Sequence, residues 1–188
     1  MLNLGGIMAR KETITKTILL DAAYAMLIEE GIEQVTARKL AAKANCSTQP
    51  IFRIYNNMEE LYADLFVKAL ESFESYVAEF PKTTVVPFVS LGQSYISFAQ
   101  KYPFVFKFIF LSKERYGRSL YDMINGANGS VTREIQAATS QGAANPSELF
   151  MKMWMFIQGA ACMSLTDDYD LKDEETVVML KEAYQAFK

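Results

Sequence analysis

Histidine is absent from all 188 residues of this chain. That absence removes Ser-His-Asp and Cys-His nucleophilic catalysis, and every His-ligated zinc site, from the chemistry available to it. Cysteine is nearly absent as well. Cys46 and Cys162 are the only two, too few and too far apart for a metal site, and they fit reduced thiols in a cytoplasm. No glycine-rich phosphate loop occurs, and no run of 18 uncharged apolar residues occurs. The densest apolar stretch, Phe104 to Leu111, is broken by Lys107 and is too short to span a bilayer. Residues Met1 to Met8 lack the basic region and cleavage site of a signal peptide, so residues 1–9 are expected to form a flexible arm, with Met8 an alternative start. The acidic run Asp167-Asp168-Tyr169-Asp170 lacks the spacing of a calcium loop and reads as a solvated turn. These absences point away from an enzyme: no catalytic residue, no metal, no cofactor and no membrane partner is expected, in a cytoplasmic protein.

Apolar side chains, by contrast, are plentiful. Hydrophobic residues make up 51% of the chain, with 13 Phe, 10 Tyr and 10 Met, enough for one good core or two small ones. The net charge of −3 is unevenly spread. Residues 1–57 carry seven Lys/Arg against five Asp/Glu, whereas residues 58–188 carry twelve against seventeen. Arg38, Lys39, Lys43 and Arg53 fall in a stretch without a single acid. Phosphate binding depends on local charge rather than the chain total, so a basic head on an acidic body fits a DNA-binding unit joined to a different module.

Residues 36–55 read as two short helices joined by a tight turn. Thr36 can cap the first helix, whose inward stripe is Leu40, Ala41 and Ala44. Asn45 stands where the chain must reverse, and asparagine tolerates a left-handed backbone. Ser47 is expected to cap the second helix, and Pro50 falls in its first turn, where a missing N–H removes no intrahelical bond. A short helix that begins with small polar residues and ends in Ile51, Phe52, Arg53 and Tyr55 suits the major groove of DNA. The candidate DNA-binding set is Thr36, Arg38, Lys39, Lys43, Ser47, Thr48, Gln49, Pro50, Phe52, Arg53 and Tyr55. Within it, Arg38 can fork onto guanine, Lys39 and Lys43 supply phosphate attraction, and Thr48, Gln49 and Arg53 form the groove-facing edge. Phe52 reads equally as a core residue.

The run Thr36-Ala-Arg-Lys-Leu-Ala-Ala-Lys43, the turn, the aromatic second helix and the closing Asn57-Met58-Glu59-Glu60-Leu61 resemble the DNA-binding domain of TetR-type transcriptional repressors over roughly residues 10–70. The family usually has Gly-Val in the turn, a Tyr in the second helix and a Lys before the Glu-Glu pair; here those positions hold Asn45-Cys46, Phe52 and Met58. In family members that Tyr and that Lys commonly touch phosphate, and Arg53 and Tyr55 stand nearby to compensate. The resemblance implies a homodimer that binds a palindromic operator and is released by a small molecule.

The rest of the chain reads as helix throughout. A first helix is expected from about Lys11 to Glu30, stopped by Gly31, and a long helix from Met58 to about Phe80, opened by an Asn57/Glu60 capping box and ended by Pro81. Residues 87–101 read as another, with Phe88, Leu91, Tyr95, Phe98 and Ala99 inward, and Pro103 opens a short apolar one. Gly117, Gly126, Gly129 and Gly142 suggest breaks or a mobile loop over 117–142. Asn145-Pro146-Ser147-Glu148 is a strong helix start, and the helix it opens is apolar nearly all round, so it must be covered on more than one side. A last helix places Val177, Val178, Leu180, Ala183, Tyr184 and Phe187 on one face.

The fold class is therefore all-α: an arm over 1–9, a three-helix DNA-binding domain over 10–70 with its motif at about 36–55, and a helical effector-binding and dimerisation domain over 71–188. Excess Phe and Met in the body suggest a pocket for an apolar or aromatic effector lined by Tyr95, Phe98, Tyr102, Phe106, Phe110, Met151, Trp154, Met155 and Gln158. A packed core is the plainer reading of most of them. Phe156, Gly159, Ala160, Met163, Val177, Leu180 and Tyr184 on the last two helices are the candidate dimer interface. The expected partners are a double-stranded DNA operator, a small-molecule effector and a second copy of the chain. A helical small-molecule or lipid-binding protein with a degenerate motif and little DNA affinity is the alternative, which Phe52 and Met58 support.

Overall fold

The computed structural model describes residues 14–166 and 168–188. The expected arm over 1–9, the start of the first helix at Lys11, and Asp167 of the acidic turn lie outside them. Every regular element among the described residues is helical.

Helix α1 (Lys16–Glu30) is capped by Thr15, whose hydroxyl accepts the Ile18 N–H at 3.2 Å, and it ends at Gly31, whose φ of +89° is cheap only for glycine. A single 3₁₀ turn (Ile32–Gln34) leads to α2 (Ala37–Lys43), capped as expected by Thr36. The turn after α2 is built by Asn45 at φ +51°. The Cys46 N–H donates to the Ala41 carbonyl at 2.9 Å and the Asn45 N–H to that of Ala42 at 3.1 Å. That pair of reversed bonds is the Schellman closure, and it satisfies two carbonyls the helix end would otherwise orphan.

Helix α3 (Gln49–Ile54) follows, and here the expected cap is corrected. Thr48, not Ser47, is the N-cap residue, and no side chain bonds to the helix start. Thr48 already has a helical backbone (ψ −19°), and its carbonyl accepts the N–H groups of Ile51 and Phe52. Helix α4 (Met58–Glu79) opens on Asn57, whose side chain accepts the Glu60 N–H. Glu60 reaches past Asn57 to Asn56, taking its backbone N–H at 3.0 Å and its side-chain amide at 2.7 Å, so the box closes one residue further back than expected. These bonds hold the Glu60 carboxyl below its usual pKa. The helix stops ahead of Pro81, with Phe80 pushed to an extended backbone.

The body comprises α5 (Val89–Lys101), α6 (Pro103–Phe106) running into a π turn (Lys107–Leu111), α7 (Leu120–Asn125), α8 (Ser130–Ser140), α9 (Pro146–Met163) and α10 (Asp173–Phe187). The glycine-rich segment is helical in two pieces, separated where Gly126 and Gly129 take positive φ. Asn145 caps α9 through the Glu148 N–H. Helix α5 is the hub, packing on α4, α6, α9 and α10. Its Gly92 permits that approach: a Cβ there would meet Ile157 Cδ1 at 2.8 Å.

One core runs through head and body. In the head, Leu19, Ala23, Met26, Leu27, Val35, Leu40, Ile51 and Leu61 are buried. Helix α4 belongs to both halves. Tyr62 donates to the Val35 carbonyl at 2.8 Å, Tyr24 of α1 meets Ser72 at 2.5 Å, and Lys16–Asp64 and Lys68–Asp21 bridge α1 to α4. Helix α6 also touches α1, where the Phe104 ring lies against Gly31. The head is thus mounted on the body at two places.

Candidate nucleic-acid interface

Helix α3 has only six residues, and the sequence sorts them by face. Ile51 is fully buried, Ile54 is half-buried against the core, and one turn on from Ile51 Tyr55 is 3% exposed. These anchor the helix. Gln49, Phe52 and Arg53, at i, i+3 and i+4, share the opposite face and are exposed. Arg38 of α2 and its cap Thr36, with Ser47 and Thr48 of the turn, are exposed as well, and Pro50 is partly so. Ten of the eleven DNA-binding candidates therefore retain accessible surface.

Tyr55 does not, and its expected role is corrected. Its ring lies in the core with the Lys16 ammonium 5.4 Å from the ring centroid. Burial first, and the neighbouring Asp64 second, push its phenol well above the ordinary pKa. Period decides this: Tyr55 follows Ile51 by four and falls on the same inward stripe. Phe52 is the converse case. Of the two readings the sequence allowed, core is excluded, because the side chain is 50% exposed.

The four cations are not equivalent. Lys39 Nζ lies 3.2 Å from Glu30 and 2.5 Å from Gln34, and Lys43 Nζ lies 2.7 Å from Glu29. Both lysines are thus tied back to the end of α1. Arg38 and Arg53 have no ion pair among the described residues, so their guanidinium forks face solvent. Glu29 and Glu30 are the functional neighbours that the sequence reading missed. Their signal was the Glu-Glu pair immediately before Gly31, where the chain turns back and brings α1's end beside α2.

The body's candidates separate similarly. Tyr95, Phe98, Phe106, Phe110 and Trp154 are buried and stacked on one another. Tyr95 lies 4.7 Å from Trp154, 4.8 Å from Phe110 and 5.0 Å from Phe106, centroid to centroid, mostly edge to face. Phe73 of α4 joins the cluster against Tyr95, Phe98 and Phe110. The Tyr95 hydroxyl donates to Gln158 at 2.7 Å, and burial pushes its pKa well up. Tyr102 sits half-buried at the cluster's edge against Phe98. Met151 and Met155 are not with them. They are 52% and 61% exposed on the outer face of α9, because α9 turns its Leu149, Met153, Ile157 and Ala161 stripe inward instead.

That outer face carries most of the expected interface. Met155, Phe156, Gly159, Ala160 and Met163 line an open groove of ≈ 500 Å³ with Met179 of α10 and the turn Asp168–Leu171. Val177 is half-buried and faces a second open depression beside Pro81. Leu180 and Tyr184 are corrected: at 1% exposure each they belong to the protomer's own core, packed where α10 meets α5 and α9. Met179 and Val178, 42% and 52% exposed, stand outward in their place.

Residues 19–65 match the model of the bacterial regulatory proteins of the tetR family. No curated protein matches the chain. Among solved structures, a TetR-like transcriptional regulator from Rhodococcus sp. RHA1 is similar with a TM-score of 0.61 at 14% identity, covering 94% of this chain and 97% of that one. A TetR-family transcriptional regulator from Haemophilus influenzae is similar with a TM-score of 0.62 at 19% identity, covering 91% and 94%. No helix among the described residues is long and apolar enough to cross a membrane. Residues 19–65 thus carry the N-terminal domain of the bacterial regulatory proteins of the tetR family, and the chain as a whole has the fold of the TetR-like structures it is similar to.

Proposed function

We propose that the chain represses transcription as a homodimer bound to a palindromic operator, and that a small apolar or aromatic effector releases it. The observation that carries the DNA-binding part is the outer face of α3. An amide, a ring and a guanidinium stand there in solvent on a helix anchored by Ile51 and Tyr55, and the Arg38 fork of α2 is exposed as well. A helix of that kind enters the major groove at its N-terminal half, and guanidinium and amide groups pair with base edges there.

Dimerisation is supported by the groove on α9 and α10. Three methionines, Met155, Met163 and Met179, remain 42–61% exposed along it in the protomer. Two heads related by a two-fold axis then meet half-sites about one helical turn apart, or a multiple of it.

Effector release is supported by the mounting of the head. Helix α4 carries Phe73 into the aromatic cluster at one end and Tyr62 onto Val35 at the other. A ligand that opens the cluster, with Tyr95 and Gln158 as polar partners, acts on the same helix that holds the head. It releases DNA only by favouring the DNA-incompetent arrangement.

Selection of bound genomic fragments at moderate salt, followed by footprinting, tests the first part: a protected palindrome is expected. Absence of any retained DNA would favour a helical small-molecule or lipid-binding protein instead. A thermal-shift screen followed by operator-release measurements tests the second. Stabilising ligands that leave DNA affinity unchanged would remove the effector switch while leaving the operator reading intact.

A further inference from the structure

Phe52 is an unusual residue to find on the solvent side of α3. Among the described residues before Met58 it is the only large hydrophobic side chain left exposed, at 50%. Its neighbours Cys46, Ile54 and Met58 all pack against the core, whereas Phe52 does not. It stands three residues after Gln49, which puts the two side chains together on one face, and Arg53, four residues after Gln49, flanks that face. The face that would enter a major groove therefore offers three kinds of chemistry: an amide, a cation and an aromatic hydrocarbon.

Each has a complement on a base edge. The guanidinium matches the two acceptors of guanine, and the amide matches the acceptor and donor of adenine. The one apolar group exposed in the major groove is the 5-methyl of thymine. An aromatic ring has no hydrogen-bonding group with which to read phosphate or a polar base edge, and a methyl group pressed against it leaves water along with the ring. We propose that Phe52 is a specificity-determining residue that reads a thymine 5-methyl group in each half-site, adjacent to the contacts of Gln49 and Arg53. This rests on the operator-binding reading above and goes beyond it by naming a base and the atom recognised.

Uracil provides the test, since it pairs as thymine does and lacks only the methyl group. In the footprinted fragment, each thymine of one half-site is replaced singly by uracil, and the full-length protein is titrated against each duplex. The expected result is a loss of about fourfold at one or two positions, the value of one methylene-sized group in an apolar contact, with the remaining thymines indifferent. Phe52→Ala should bind thymine and uracil duplexes equally at those positions, and Phe52→Tyr, which keeps the ring, should still discriminate. The side chain is exposed, so neither change threatens the fold, and unchanged thermal unfolding verifies that. Three results overturn the proposal: DNA binding intact with no uracil-sensitive position, undiminished sensitivity in Phe52→Ala, or no retained DNA at all. Only the last also removes the operator reading, so the two failures are distinguishable.

Discussion

The head and the body of this molecule use the same amino acids to opposite ends. In the head, up to Met58, the only aromatic residues are Tyr24, Phe52 and Tyr55 among the described residues, and burial is nearly settled by helical period, so an exposed ring such as Phe52 carries information. In the body, aromatic residues are so abundant that exposure and burial are decided by neighbours. Tyr95 touches Phe73, Phe106, Phe110 and Trp154, while Met151 and Met155 on the same helix as Trp154 face outward. A surplus of aromatic side chains is therefore weak evidence for a pocket, whereas scarcity makes each outward-facing ring informative.

The sharpest way to break that comparison is to remove a ring from each region. Phe73→Ala takes out the α4 residue on which three rings converge. It should destabilise the protein by about 3–5 kcal/mol in chemical denaturation. Phe52→Ala should change stability by less than about 0.5 kcal/mol, as surface substitutions do. Comparable losses for the two would mean that the head's aromatic is structural after all.

Two glycines sharpen the contrast within the body. Gly92 faces Ile157, and Gly159 faces nothing within 4 Å of an added Cβ. Gly92→Ala forces an overpacked contact and should cost about 1–3 kcal/mol. Gly159→Glu should leave the protomer folded but place a charge in the groove proposed to meet a second copy. Sedimentation should then show monomers, and operator affinity should fall about a hundredfold or more, because one head holds only half a site. An unchanged dimer with Gly159→Glu would move the interface away from this groove.

How much was legible follows from the same asymmetry. Caps and breakers have local causes, so Thr36, Asn45, Gly31, Asn145 and Pro146 announced their helix ends correctly. Tyr55 was placed in the groove with the rest of its short helix, although its four-residue spacing from Ile51 puts it on the buried stripe. Leu180 and Tyr184 were assigned to an interface because an apolar face does not say which neighbour covers it; only the packing of α10 on α5 shows that the protomer covers it itself. Glu29 and Glu30 went unnoticed for a related reason, since the bridge from α1 to α2 joins residues nine and fourteen apart in sequence.

Within the head the arginines and lysines can be separated experimentally. Arg38→Ala should cost about 1–3 kcal/mol of operator binding and relax preference at one base position, as the loss of a forked guanine contact does. Lys39→Ala should cost less and weaken all sequences alike, because its ammonium already has two protein partners. Equal losses of Arg38→Ala on operator and random DNA would make Arg38 a phosphate contact.

The smallest effect concerns those partners. The Lys39–Glu30 and Lys43–Glu29 pairs have every side chain more than a third exposed, so each contributes only about 0.2–1 kcal/mol to folding. Their greater consequence is competition, since an ammonium held by a carboxylate is less available to phosphate. Glu29→Gln with Glu30→Gln should leave stability nearly unchanged, tighten binding to every DNA sequence, and steepen the salt dependence by up to about two phosphate contacts. Removing acidic charge near DNA tightens binding by itself, so a matched control is needed. Glu33 supplies it: it is exposed, lies just beyond Gly31 and holds no lysine or arginine among the described residues. Glu33→Gln should tighten binding slightly with the salt slope unchanged. A salt slope that moves as much per substitution for Glu33 as for Glu29 and Glu30 would mean that Lys39 and Lys43 reach the phosphates with their carboxylate partners still in place.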